Sequence, residues 1–388
     1  MRSGNKIKIG APLFPVFIAG LILFVCSCTA SRQHRNNKGR DFKLPPLADT
    51  TNPAYVKGEL IYALSDRPTP QCHASTIVET PKGLVTAFFA GTREGAPDVG
   101  IRVSRLLNGK WTRPAEVANG IQNDTLRYPC WNPVLFQPKG GELMLFYKVG
   151  PSPQLWWGMV MTSKDDGVTW SAPVKIGKDS RIGHLLGPVK NKPVQLGDGT
   201  IICPASIEYP HKSGEEQDWR VYFEISKDLG KTWQVVGPIN DGVQFDAIQP
   251  SILFYPNGSL QVICRTRQNV LAESWSSDGG KTWSKMKAMA LPNPNSGTDA
   301  VTLADGRQLL VYNHSTNLGD EPKGRNLLNV ALSANGNQWT PVMTLENRPV
   351  EDGYAYPAVI QAHDGLVHIT YTYNRRTVKH VVLDPAKL

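Results

Sequence analysis

Ser163-Lys-Asp-Asp-Gly-Val-Thr-Trp170, Ser226-Lys-Asp-Leu-Gly-Lys-Thr-Trp233 and Ser276-Ser-Asp-Gly-Gly-Lys-Thr-Trp283 are three copies of one octapeptide, S-x-D-x-G-x-T-W. A motif recurring at this spacing marks a repeat architecture in which each repeat is one supersecondary unit. The residues have a local logic. Ser and Asp bond neighbouring backbone groups in a turn, Gly admits positive φ, and Thr-Trp opens a strand with Trp as a buried plug. Two weaker copies extend the series, Ser104-Arg-Leu-Leu-Asn-Gly-Lys-Trp111 and Ser333-Ala-Asn-Gly-Asn-Gln-Trp339. The five starts lie 59, 63, 50 and 57 residues apart, the length of a four-stranded blade.

Short β-rich runs fill the intervals. Ser75–Glu79, Val85–Gly91 and Ile101–Ser104 precede the first box, and Glu116–Ala118 follows it. After the fifth box only three strands remain, Tyr356–Gln361, Val367–Tyr373 and Val378–Asp384, while Gly58–Asp66 is a spare strand at the start. Pairing the spare strand with the last three closes a ring and removes an exposed sheet edge. The expected fold is all-β: a six-bladed β-propeller with four-stranded blades, closed by N- and C-terminal strands in one blade. The 35 Gly and 30 Pro and the scarcity of helical periodicity agree with it.

The N-terminus is read apart from the fold. Met1–Lys8 is basic, Ile9–Val25 is almost wholly apolar, and Val25-Cys-Ser-Cys28 resembles a lipobox with Cys28 as the lipidated residue. An ordinary cleaved signal peptide or a short anchor is the alternative. The expected organisation is a lipoprotein-type signal peptide over 1–28, a flexible tether over 29–57 and the propeller over 58–388. That places the chain in a bacterial cell envelope, held to the membrane through its N-terminal lipid and facing the periplasm or the cell surface. Of the net charge of +9, residues 1–57 carry +7, leaving +2 for the rest. The basic balance therefore gives no argument for nucleic acid. Cys72, Cys130, Cys203 and Cys264 lack metal-site spacing; Cys72 and Cys130 are open to pairing in an oxidising compartment, with buried thiols the preferred reading. No metal and no organic cofactor is expected, and neither is a second copy of the chain, so a monomer is expected.

In a propeller, first-strand starts and second-to-third-strand connections line the central funnel. Here those segments carry His73, Asn132, Lys190, Gln249 and Tyr356, then Arg93 and Glu94 through Asp98, Trp157, Glu208, Arg265, Arg325 and Asn374-Arg-Arg376. Trp131, Trp156 and Trp157 in such loops call for a stacking partner, and a sugar ring is one.

Repeats of this kind on six blades resemble the sialidase superfamily over about residues 58–388, where the boxes lie on the face opposite the active site. The resemblance implies arginines for a substrate carboxylate, an aspartate acid/base and a tyrosine nucleophile helped by a glutamate. Gly258-Ser-Leu-Gln-Val-Ile-Cys-Arg265 resembles the strand that ends in one such arginine, and the segment from Asn313 through Arg325 to Ser333 resembles another. Tyr356 matches the nucleophile strand, and Asp98 falls where the acid/base would be. Two positions depart. His73, in Gln71-Cys-His-Ala-Ser75, stands in place of the family's first arginine, and Gln249 in place of the glutamate. Glutamine takes no proton and cannot serve as the tyrosine's base; His73 is able to, because imidazole titrates near working pH.

Three functions follow. The first is a sialidase-like exo-glycoside hydrolase acting on a terminal acidic sugar, with Asp98 or His73 as acid/base, Tyr356 in the reacting centre, and Arg265, Arg325, Arg93, Gln249, Glu208, Trp157 and Asn132 holding substrate. The second is a propeller lyase, or a rhamnosidase-like enzyme, using His and Tyr. The third is a glycan-binding protein without turnover.

Overall fold

A computed structural model describes residues 43–178, 184–209, 218–318 and 324–388 of the chain. Residues 44–388 form one compact unit. The signal segment, Cys28 and the first part of the tether lie outside the described residues.

Six antiparallel sheets make the ring. Each blade runs from an inner to an outer strand, and the inner strands of successive blades lie side by side. Blade 1 begins at Gln71–Thr80, blade 2 at Cys130–Phe136, blade 3 at Val194–Gln195, blade 4 at Ala247–Phe254, blade 5 at Asp299–Thr302 and blade 6 at Tyr354–Gln361. The outer strand of blade 6 is Tyr55–Leu60, paired antiparallel with Thr377–Leu383. Closure by both termini is thus as expected, with the N-terminal strand three residues earlier than Gly58.

The propeller also begins before the expected boundary. Residues read as tether run along the outer strand of blade 5: the Thr344 amide donates to the Pro46 carbonyl, and the Ala48 amide to the Thr344 carbonyl, each at 2.9 Å. Ala54 is fully buried, and its carbonyl accepts from the Asp384 amide. These residues carry no strand periodicity because they act as a strap of isolated bonds rather than a ladder.

The octapeptides close the turns between third and fourth strands. The Ser163 hydroxyl donates to Asp165 and accepts from the Gly167 amide, while Asp165 accepts from both the amide and the hydroxyl of Thr169. The same bonds recur around Asp228 and Asp278. The threonine bonds hold Asp165 and Asp228 down at about 2. Each glycine has positive φ, +80°, +87° and +85° in turn, and lies against the tryptophan of its own box. The tryptophans then reach the preceding blade, Trp283 stacking on Phe223 with centroids 4.6 Å apart and Trp233 meeting Phe146 edge-on. Cys72, Cys130, Cys203 and Cys264 are buried free thiols.

A second repeat shows only in the backbone. The inner strands of blades 1, 2, 4 and 6 each break register at one point, between His73 and Thr76, Trp131 and Val134, Ile248 and Ser251, and Ala355 and Ala358. At each break a non-glycine residue takes positive φ: Ala74, Asn132, Gln249 and Tyr356. Such bulges re-aim side chains, and the left-handed conformation costs on the order of 1–3 kcal/mol at each. Inner-strand amides facing the channel find acceptors on the neighbouring blade, as buried donors must. Ala74 N–H donates to Thr372 Oγ1, Leu135 N–H to Thr76 Oγ1, Gln249 N–H to Ser206 Oγ, Ala300 N–H to Ser251 Oγ and Val359 N–H to Asp299 Oδ2.

Candidate active site

The bulges of blades 4 and 6 bring Gln249 and Tyr356 together. The Tyr356 hydroxyl accepts from Arg265 Nη1 at 2.8 Å and lies 3.4 Å from Gln249 Nε2, while Arg265 Nη1 also reaches Gln249 Oε1 at 3.4 Å. Arg265 comes from the end of the strand Leu260–Thr266, paired with the bulged strand. Its Nε donates to Asn295 Oδ1 at 2.7 Å, and Asn295 offers its carbonyl to Arg325 Nη2 at 3.5 Å. Both guanidiniums lie over the Tyr356 ring, at 5.8 and 5.6 Å from its centroid. One phenol thus stands between two arginines that share an asparagine.

His73 lies on the same ring, its centroid 4.2 Å from that of Tyr356, with Nδ1 3.0 Å from Thr372 Oγ1. It is 2% exposed. Burial, and then the charges of Arg375, Arg325, Arg265 and Lys190, hold it well below the ordinary imidazole value. The expectation that His73 titrates near working pH fails for that reason: it is a neutral imidazole surrounded by cations.

Two of those cations, Arg375 and Lys190, lie in funnel-lining segments of the sequence but carry no assigned role there. Arg375 ends the second-to-third-strand turn of blade 6; its Nη1 pairs with Glu94 at 2.6 Å and its Nε lies 3.9 Å from Asp352. Lys190 is buried, with φ of +74°, and its ammonium donates to the carbonyls of Thr298 and Pro357, the latter directly after Tyr356. Burial pushes it down to about 7. The segment that delivers it is pinned behind by Glu224, which accepts from the amides of Leu186 and Gly187, and by Lys148, which donates to the Pro188 carbonyl. Gly297 fills the space between: a Cβ there would lie 3.1 Å from Gln249 Oε1 and 3.4 Å from both Lys190 and Tyr356.

Glu208 forms the wall beside Arg265. It is held by Trp219, and burial raises its carboxyl against the pull of Arg265 and Arg267. Both arginines stack on Trp219, at 5.1 and 4.2 Å. Asp98 is exposed, and its Oδ2 accepts from the amide and hydroxyl of Thr92 at 2.8 and 2.6 Å, which braces its own loop. Arg93 is exposed on that loop and Asn132 is buried at the blade 2 bulge. The aromatic candidates have protein partners: Trp131 and Trp156 are buried on each other, and Trp157 meets Tyr128 edge-on under Lys175.

His73, Gln249, Arg265, Arg325 and Tyr356, drawn from blades 1, 4, 5 and 6, therefore converge, with Glu208 adjacent. Asn295 was missed, and Arg375 and Lys190 fall on the funnel in sequence without a role. The bulges themselves carry a sequence signal, X-Pro at three of the four, Asn132-Pro, Gln249-Pro and Tyr356-Pro, since proline inside a sheet marks a break in the ladder. Among the described residues no group of three or more His, Cys, Asp and Glu is arranged to hold a metal.

This chain belongs to the family of BNR repeat-like domains, whose profile matches residues 82–369. It is 24% identical over 229 residues to the anhydrosialidase of Macrobdella decora, a match spanning 54% of this chain and 28% of that enzyme. Among solved structures, a Hadza microbial sialidase superposes with a TM-score of 0.70 at 18% identity, over 85% of this chain and 69% of that one. The intramolecular trans-sialidase of Ruminococcus gnavus gives 0.64 at 14% identity, over 86% and 99%. A protein of unknown function from Dyadobacter fermentans gives 0.68 at 18%, over 85% and 98%. At these identities the structural likeness shows a sialidase-like propeller fold.

Proposed function

We propose that the chain is an exo-acting glycoside hydrolase that removes a terminal acidic sugar from a glycan. The observation that carries this reading is Tyr356 seated between Arg265 and Arg325 with its hydroxyl on Arg265. A site with two arginines over one phenol, and with Arg375 and a buried lysine acting on the His73 ring packed against it, attracts an anion, and guanidiniums bind a carboxylate through paired hydrogen bonds. The sugar carboxylate lies against Arg265, Arg325 and Arg375, which places its anomeric carbon at Tyr356. Arg265 beside the phenol oxygen offsets negative charge developing there.

Proton delivery to the leaving oxygen falls to Glu208. Its carboxyl is raised by burial, the direction that favours a proton donor, whereas the Asp98 carboxylate braces a loop and His73 stays neutral beneath the ring. Lys190 and Thr372 are positioning residues, one fixing the backbone after Tyr356 and the other the His73 ring. The expected setting remains a lipid-anchored enzyme of the cell envelope, carried by the N-terminal sequence alone.

One observation favours a second reading. Gln249, not a carboxylate, contacts the Tyr356 hydroxyl, while His73 packs on its ring; a lyase would use such a pair to move a proton beside an arginine-bound carboxylate. The experiment is a panel of fluorogenic glycosides of sialic, glucuronic and galacturonic acids, together with natural oligosaccharides and mass analysis of products. Hydrolysis of one acidic glycoside supports the first reading. An unsaturated product absorbing in the near-UV supports the second, and binding with no cleavage anywhere contradicts both.

A further inference from the structure

Beside the central site lies a second cavity, of about 280 Å³, whose lining includes Arg67, Gln71, Glu351, Asp352, Asn374 and Arg376. The wall between the two is the Glu94–Arg375–Asp352 chain: Asp352 lines the side cavity, while Glu94 and Arg375 act on Glu208, Arg325 and His73 in the centre. The side cavity is built on an unusual turn. The Arg376 amide donates to the Tyr373 carbonyl across Asn374 and Arg375, both of which have positive φ, +49° and +48°. In such hairpin turns glycine is the favoured second central residue, and here an arginine takes that place.

That conformation is over-determined by its surroundings. The Asn374 amide donates to the Gly353 carbonyl, the Asp352 amide to Asn374 Oδ1, and the Cys72 amide to the Arg375 carbonyl. The turn sends consecutive arginines to different partners, Arg375 to Glu94 and Asp352, where its charge acts on His73 and Arg325, and Arg376 into the side cavity, where it meets Glu351 at 3.5 Å. Strain held this firmly in a non-glycine residue points to function.

We propose that the side cavity is the subsite for the second sugar of the substrate, the one that leaves, and that Arg376 and Arg67 bind its hydroxyls. This rests on the glycosidase reading of the centre. Two arginines balance two carboxylates beside two side-chain amides, so the lining holds both donors and acceptors and its charges cancel. Such a lining suits a neutral, hydroxyl-rich ring and offers nothing to an apolar or strongly charged one.

The test compares two substrates with the same terminal sugar, a glycosyl fluoride and a disaccharide carrying a neutral hexose. Fluoride cannot fill the side cavity. In the variants Arg376→Ala and Arg67→Ala, KM for the disaccharide rises on the order of tenfold with kcat unchanged, the scale of one lost charged hydrogen bond. Fluoride turnover stays within about twofold of the parent on the same reasoning. Equal losses on both substrates, or none on either, overturn the proposal, with thermal melts checking that both variants fold. Should the parent protein cleave neither substrate, the glycosidase reading falls, and the subsite is then read by saturation-transfer NMR with 3′-sialyllactose and a glucuronyl-galactose disaccharide. Hexose signals lost in Arg376→Ala support the subsite, and unchanged or absent hexose signals in the parent overturn it.

Discussion

The two faces of this propeller use polar side chains in opposite ways. On the box face, each Ser-Asp-Gly-Thr set satisfies itself within seven residues, and a glycine takes one strained position of every turn. On the funnel face, partners come from distant parts of the chain: His73 meets Thr372, Lys190 meets the Pro357 carbonyl, and Gln249 and Arg265 meet Tyr356. Strain there falls on Ala74, Asn132, Gln249 and Tyr356, where no glycine relieves it. Polar groups that close a local turn stabilise the ring; polar groups held by non-local strain are arranged for a ligand.

The comparison breaks most visibly at Arg265. Arg265→Ala removes the donor to the phenol and one carboxylate partner, and kcat/KM for the best acidic glycoside falls on the order of 10³-fold, while the melting temperature changes little. Next comes Glu208→Gln. Steady-state kinetics across pH lose the alkaline limb that the parent shows as Glu208 gives up its proton, and turnover drops on the order of 10²-fold. A leaving group that needs no protonation recovers that loss; failure to recover would remove Glu208 from proton transfer.

On the box face the effect is on stability alone. Trp283→Ala deletes the stack on Phe223 and lowers unfolding free energy by on the order of 3 kcal/mol, read by denaturant melts, with kcat unchanged. Acid sharpens the contrast by separating the faces in pH. The folded imidazole of His73 lies well below its unfolded value of 6.5, so the unfolded chain binds more protons there. Stability therefore falls as pH drops below about 6.5. The box carboxylates lie at about 2 against 3.8 unfolded; their contribution holds above that range and is lost only as pH falls from about 4 to about 2. Melts at pH 7, 5 and 3 in the parent and in His73→Gln resolve the two windows. The smallest effect is Leu229→Gly. Leu229 has φ of +57° where the third box has Gly279, so relief of strain outweighs the entropy glycine adds to the unfolded chain, by less than about 1 kcal/mol.

The same contrast explains what the sequence revealed. The boxes are local, so their copies could be counted, and the count gave six blades and closure by an N-terminal strand, read at Gly58–Asp66 and found at Tyr55–Leu60. The blade register in turn brought His73, Gln249, Arg265, Arg325 and Tyr356 to one place. Arg375 and Lys190 fell on the funnel in that register but without a role, because each is committed by a backbone conformation that its residue type does not favour. Asp98 and the tryptophans Trp131 and Trp156 were read as reaching for substrate. In the fold, Thr92 takes the Asp98 carboxylate, and the two tryptophans take each other. Side chains in polar loops look alike in sequence, and only packing tells which already have partners.

The most direct test sets one residue from each face side by side: kcat/KM for Tyr356→Phe and Asp228→Ala on the same acidic glycoside. The account predicts a loss on the order of 10³-fold for Tyr356→Phe with an unchanged melt, and a lowered melt with turnover within about twofold for Asp228→Ala. Full turnover in Tyr356→Phe would contradict it.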